Sequence, residues 1–203
     1  MAMLDKELAL GLARAVLSQE IETIQGLAEE LDQAFMDCTR LIAECNGLVW
    51  VVGVGTSAAV GQRLAHLLSC CGVRSMFLWP DEGLHGHSAV MIPGDLLIAM
   101  SRGGESDQVN QMAQIANRRG LATIAFVNDT DSTLARACQY VLPIRSRQDY
   151  ELRGYLATTG TLAFSAMCDA LCAVVLEARG YDVQTLRETH PGGAVGKVLG
   201  GEA

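Results

Sequence analysis

Two short segments rich in glycine and hydroxyl side chains carry the most chemistry in this chain: Gly53-Val54-Gly55-Thr56-Ser57 and Ser101-Arg102-Gly103-Gly104-Glu105-Ser106. Each follows an apolar run with the character of a β-strand and precedes a stretch with helical spacing. Small residues let backbone N–H groups approach an anion, and the start of the following helix adds partial positive charge. Ser57 is placed to donate its hydroxyl to an anion at a helix start. Ser101 and Ser106 bracket Gly103-Gly104, so two hydroxyls and successive amides can wrap a phosphate. Two such turns at the carboxyl ends of strands in one sheet point at one pocket, because open α/β sheets bind ligands where those ends meet. The ligand class they predict is a small phosphorylated molecule. Gly53, Gly55 and Ala58 also fit the dinucleotide fingerprint G-x-G-x-x-A. The acid that should hold a ribose after the second strand is present only as Asp81, beyond Pro80.

Further candidates lie beyond the turns. Thr158 and Thr159 open a long apolar helix and offer more hydroxyls. Asp149 and Glu151, in the polar loop before that helix, are the candidate general bases, each weighed against a solvated loop charge. His190 sits on a corner made rigid by Pro191 and turned by Gly192-Gly193, which suits a proton acceptor and donor. His85, in a glycine-containing loop after the second strand, is open to a catalytic or a structural role. Glu105 would repel a phosphate in its own turn, so it is expected to point away, capping amides or meeting a cation. Ser106 also reads as an ordinary serine N-cap. His85 and His87 form an H-x-H pair, too few ligands for a metal site, and none is predicted.

These residues need a scaffold, and the hydrophobic pattern predicts one. Apolar residues from Leu4 to about Cys45 recur at helical spacing, as one or two helices broken near Ser18. Runs at 48–52, 75–79, 95–100, 121–127 and 140–144 read as strands. Helices are predicted over 58–71, 107–119, 132–139, 158–179 and 182–188, with at most a single turn inside the loop 80–92 and a short tail after Gly193. Strands alternating with helices imply right-handed crossovers and a parallel sheet covered on both faces. The fold class is therefore α/β: a doubly wound three-layer sandwich with a five-stranded parallel sheet in flavodoxin-like order. Residues 1–46 form an N-terminal helical region and 47–203 the ligand-binding core of one domain.

Composition narrows the partners. A net charge of −8 argues against nucleic acid or an anionic membrane. No uninterrupted apolar run is long enough to span a bilayer, and no export signal is evident. Seven cysteines without a C-x-x-C fit reduced thiols in a cytoplasm. Cys168 and Cys172 share a helix face as core filler. The excess of apolar residues in the N-terminal helices predicts a second copy as partner.

Together the two turns, Pro80-Asp81-Glu82-Gly83-Leu84-His85-Gly86, Thr158-Thr159-Gly160-Thr161 and His190-Pro191-Gly192-Gly193 resemble the sugar isomerase (SIS) domain family from about Leu48 to Leu199. Within it the chain looks most like the D-arabinose 5-phosphate isomerases, through the histidine loop and the ending. The resemblance implies a homo-oligomer, usually a tetramer, with active sites shared between subunits. It implies a sugar phosphate held by Gly53, Gly55, Thr56, Ser57, Ser101, Gly103, Gly104, Glu105, Ser106, Thr158 and Thr159. His190 would reach a neighbour's pocket to assist ring opening, His85 would line it, and Asp149 or Glu151 would be the base. Isomerases of this type usually carry lysine where this chain has Thr56 and glutamate where it has Gln108; their glutamate before the long helix matches Asp149 or, with a small shift, Glu151. The paired CBS regulatory domains that often follow are not among the 203 residues. The expected activity is aldose–ketose isomerisation of D-arabinose 5-phosphate/D-ribulose 5-phosphate or a related sugar phosphate through a cis-enediol, without cofactor. The alternative is a phosphosugar sensor without turnover, favoured by Thr56 and Gln108.

Overall fold

The protein is seen in a computed structural model that describes residues 5–180 and 182–200. Five strands, β1 (Val49–Gly53), β2 (Ser75–Phe77), β3 (Leu96–Met100), β4 (Ala122–Val127) and β5 (Tyr140–Pro143), form one sheet in the order β2-β1-β3-β4-β5. All pairings are parallel. The helices are α1 (Lys6–Glu29), α2 (Gln33–Glu44), α3 (Thr56–Cys70), α4 (Pro80–Leu84), α5 (Asp107–Arg118), α6 (Thr133–Ala137), α7 (Thr159–Ala178), α8 (Val183–Thr189) and α9 (Gly193–Gly200). The predicted α/β class and strand order are both present.

Strand β3 is buried at every position because helices cover both of its faces. Its side chains alternate between two cores. Ile98 and Met100 join Val49, Val51, Ile124 and Phe126 beneath α2, α3 and α7. Leu97 and Ala99 join Trp50, Val52, Ala125 and Val127 beneath α5 and α6. Helix α7 is long and apolar enough to cross a membrane by length and composition, with a mean hydropathy of 1.7. Here it packs against α1, α2 and α3, and half of that apolar window is buried in the fold. Cys168 on α7 and Cys38 on α2 sit in this core, and burial pushes both thiols up to about 12, far from reactive thiolates.

Several element boundaries differ from the sequence expectation. The N-terminal helix runs through Ser18 without a break. The break falls at Leu31-Asp32, where the Asp32 carboxylate accepts from the backbone N–H groups of Ala34 and Phe35 and starts α2. Helix α3 begins at Thr56, which draws Thr56 and Ser57 into its first turn. The loop after β2 holds α4, entered through Pro80, and a 3-10 turn at His87–Val90. Gly193–Gly200 is helical where a short tail was expected.

The amino ends of β1 and β3 are tied by one carboxylate. Buried Asp95 accepts from Leu48 N at 2.8 Å, Trp50 Nε1 at 3.0 Å and Ile92 N at 3.2 Å. Asp95→Ala leaves these donors without their acceptor and should cost about 2–4 kcal/mol, read as a lower urea midpoint with unchanged slope.

Candidate functional site

The two glycine–serine turns lie side by side because β1 and β3 are neighbours, in register from Val49↔Leu96 to Gly53↔Met100. Glycine suits position 53 because a Cβ there would press on the turn, standing 3.0 Å from the Ser57 carbonyl oxygen. Gly55 turns the chain into α3 with φ of 57°, and no side chain caps that helix start. In the second turn Ser101 Oγ and Ser106 Oγ hydrogen-bond to each other at 3.0 Å. Ser106 therefore does not cap α5, whose start also lacks a side-chain cap. Two helix starts without side-chain caps thus face the same end of the sheet, which is the polarity an anion requires.

Glu105 points away from this end. Its Oε1 accepts from Thr133 N at 2.8 Å at the start of α6, and that bond holds its carboxyl below the usual range. The backbone of the turn is anchored on the same side. Leu134 N donates to Gly104 O at 3.0 Å, Asn128 N to Arg102 O at 2.8 Å and Gly104 N to Ser101 O at 3.1 Å. Gly104 adopts φ of 68° and sits so close to Ser132 that no side chain fits there. Gly103, its neighbour, is exposed.

The two candidate bases are separated by the structure. A 3-10 turn at Gln148–Tyr150 leaves the Asp149 side chain 63% exposed, and Arg147 Nη2 lies 2.7 Å from its Oδ2. That contact holds Asp149 below the ordinary carboxyl range, which makes it a weak base. Glu151 is turned inward, its side chain 1% exposed. Its Oε2 accepts from Thr158 N at 2.6 Å and its Oε1 from Gly160 N at 3.0 Å, at the start of α7. The Thr159 hydroxyl faces elsewhere, donating to Tyr150 O at 3.1 Å.

Arg102 completes the cluster and was not among the residues singled out from sequence. Its Nε lies 3.3 Å from Glu151 Oε1 and 3.0 Å from Ser146 Oγ, and its Nη1 lies 2.6 Å from Gln148 Oε1. The signal available in the sequence was a cation inside a phosphate-type turn of a chain with only two lysines. Together Thr56, Ser57, Arg102, Ala157, Gly160 and Thr161 line a cleft with Val60 and Phe164 beneath, open to about 20 Å³. A larger cavity of about 650 Å³ lies between α1 and the segment after β5. Its walls are bridged by the Arg147–Glu22 ion pair at 3.9 Å and by Tyr150 Oη donating to Glu22 Oε2 at 2.6 Å, and it lacks the glycine–serine turns.

Neither histidine candidate lines the cleft. His85 is exposed at the end of α4, which packs against α5. His190 ends α8, its Nδ1 within 3.3 Å of Leu186 O and 3.0 Å of Thr189 Oγ1. Of the sequence candidates, Thr56 and Ser57 line the cleft, and Glu151 meets it through Arg102; Thr158 and the other candidate residues of the two turns lie outside its lining. The structure directs Asp149, Glu105 and the Thr159 hydroxyl away from it.

Glu151→Ala removes the acceptor of two α7 amides and the carboxylate facing Arg102. It should destabilise the fold by about 3 kcal/mol, against a smaller loss for Glu151→Gln, measured by urea unfolding.

Comparison with known proteins fits this geometry. Residues 41–174 match the SIS domain model. The arabinose 5-phosphate isomerase KdsD of Escherichia coli K12 is 31% identical over 186 residues, covering 92% of this chain and 57% of that protein. The chain thus spans little more than half the length of the curated relatives it matches. A putative sugar-phosphate isomerase from Listeria monocytogenes superposes with a TM-score of 0.88 at 27% identity, covering 94% of this chain and all of that one. An Escherichia coli CFT073 protein solved in complex with arabinose 5-phosphate superposes at 0.87 over 93% of this chain and all of that one and, at 21% identity, shares the fold. By sequence match over most of its length, the chain belongs to the SIS domain family.

Proposed function

We propose that the chain is an aldose–ketose isomerase of phosphorylated sugars, with D-arabinose 5-phosphate and D-ribulose 5-phosphate as substrate and product. The observation that carries this reading is a buried carboxylate, Glu151, held at the start of α7 beside two turns rich in hydroxyls and helix-start amides. The name of the KdsD relative and the arabinose 5-phosphate bound to the Escherichia coli neighbour support the choice of sugar.

Thr56, Ser57, Ser101 and Ser106, with the amides of their turns, anchor the phosphate. Binding energy gathered there orients the reacting carbons. Isomerisation then moves one proton. The base takes it from C2 of the open-chain aldose while O1 gains a proton, which gives a cis-enediol. Return of the proton to C1, with loss of the proton on O2, gives the ketose. Glu151 suits this single-base role better than Asp149 because its side chain is turned inward, 1% exposed against 63%. The carbon skeleton undergoes no net redox change, and the steps call for no cofactor.

Ring opening is assigned to His190 of a second copy, because none of the described residues of α8 or α9 lines the cleft of its own chain. Leu8, Leu12, Leu17 and Ile21 on α1 are 54%, 55%, 58% and 58% exposed, which supports burial of this helix against another copy. A homotetramer with shared sites, in a cytoplasm that keeps the cysteines reduced, is the assembly proposed. The domain reading extends the SIS unit over residues 1–203.

The deciding measurement is NMR of solvent-deuterium incorporation into D-arabinose 5-phosphate. Exchange at the carbon centres supports the isomerase. Ligand-induced thermal stabilisation without exchange supports the sensor, the reading to which Thr56 and Gln108 lend weight. Glu151→Gln should lower kcat by about 10²–10⁴-fold with the fold retained, and unchanged turnover in His190→Ala would remove that residue from the mechanism. Sedimentation should give a species larger than the monomer at micromolar concentration, and Leu12→Asp with Ile21→Asp should shift it toward monomer.

A further inference from the structure

The cleft is too small, as it stands, for the ligand class proposed above. About 20 Å³ holds one water, whereas pockets for small organic ligands start near roughly 300 Å³. Arg102 is one of the side chains that narrow the cleft. It crowds the head of α7 so closely that a Cβ on Gly160 would lie 2.7 Å from Arg102 Nε and 2.8 Å from its Cδ. Among the described residues lining the cleft, Arg102 is the only cation. The chain carries a net charge of −8, so an anionic ligand gains little from the protein's overall field and depends on local positive charge. The backbone of the Arg102 turn is pinned by the bonds to Asn128 and Leu134, while its side chain is held by Ser146, Gln148 and Glu151, of which Glu151 alone is an anion.

We infer that Arg102 is the phosphate-binding cation of this cleft and that it exchanges partners: Glu151 holds it when the cleft is empty, and an incoming phosphate ester takes it over. A guanidinium presents its donors in a fork that fits phosphate oxygens bidentately, and a phosphate dianion carries more charge than the carboxylate it replaces. Glu151 does not follow the cation, because the amides of Thr158 and Gly160 still hold it. One side-chain movement therefore opens the space for the sugar, neutralises its phosphate and exposes the carboxylate to the reacting carbons. The catalytic base is covered until a phosphorylated ligand arrives. This rests on the reading of the cleft as a phosphosugar site, but it makes a claim about binding that turnover does not decide.

The test is calorimetric titration of inorganic phosphate at pH 8 into the full chain and three variants: Arg102→Met, Glu151→Gln and the double variant. Arg102→Met should weaken binding by at least about tenfold. Glu151→Gln should tighten it several-fold, because the arginine no longer has a competing anion. In the Arg102→Met background the same Glu151→Gln change should have little effect. A gain of equal size in that background means that Glu151 merely repels phosphate, and it overturns the exchange. Binding by Arg102→Met within twofold of the parent overturns the assignment of the cation. Arg102→Lys, which keeps the charge without the fork, should fall between the parent and Arg102→Met, and it serves if Arg102→Met does not fold. With D-arabinose 5-phosphate, loss of Arg102 should raise KM more than it lowers kcat. A parent chain that binds phosphate through Arg102 yet exchanges no deuterium keeps this inference and removes the isomerase. Normal exchange with Arg102-independent binding does the reverse.

Discussion

The Glu151 carboxylate is the point on which the site is built. A helix as apolar as α7 starts with backbone amides that need an acceptor, and the loop before it delivers one from inside the fold. Because both oxygens are used by Thr158 and Gly160, the carboxylate has a fixed position, and the only cation among the described residues of the cleft lies against it. Burying a carboxylate is costly unless donors surround it. Here helix-start amides and a guanidinium supply them. The same contacts that make the charge tolerable aim it at the end of the sheet where the two glycine–serine turns meet.

The sheet sets how closely those turns can meet. Register between β1 and β3 places Gly53 beside Met100, so the two chains leave the sheet at the same level. Asp95 works at the opposite end, joining the entry to β1, the Trp50 indole and the loop before β3. The spacing of the turns therefore follows from strand pairing in the core and does not depend on loop conformation. A site assembled this way tolerates variation in the turn residues.

The scaffold was legible from sequence for a simple reason. Strands buried on both faces, such as Leu48-Val49-Trp50-Val51-Val52, have unbroken apolar character that few other elements share. The turns were legible because glycine and serine at strand ends have a local meaning. The break in the N-terminal helices was misplaced because Ser18 looked like an interruption, whereas Asp32, a stronger acceptor for helix-start amides, makes the actual one. Choosing between Asp149 and Glu151 depended on a single 3-10 turn that rotates one outward and the other inward, which spacing alone does not encode. Arg102 escaped notice because its meaning lies in a partner distant in the chain. The two histidines keep their interest only if a second copy is present, and no pattern within one chain places a residue across an interface.

The attachment of the second turn to α6 has a consequence for how ligands are taken up. Glu105 accepts from Thr133 N, and Gly104 O accepts from Leu134 N. A cradle so moored is ordered before anything enters it. Little backbone freedom remains to be lost on association, so the entropic toll falls mainly on one rotating guanidinium. Uptake should then resemble the turning of a latch more than the folding of a flap, with rates set by side-chain rotation instead of slow segmental closure.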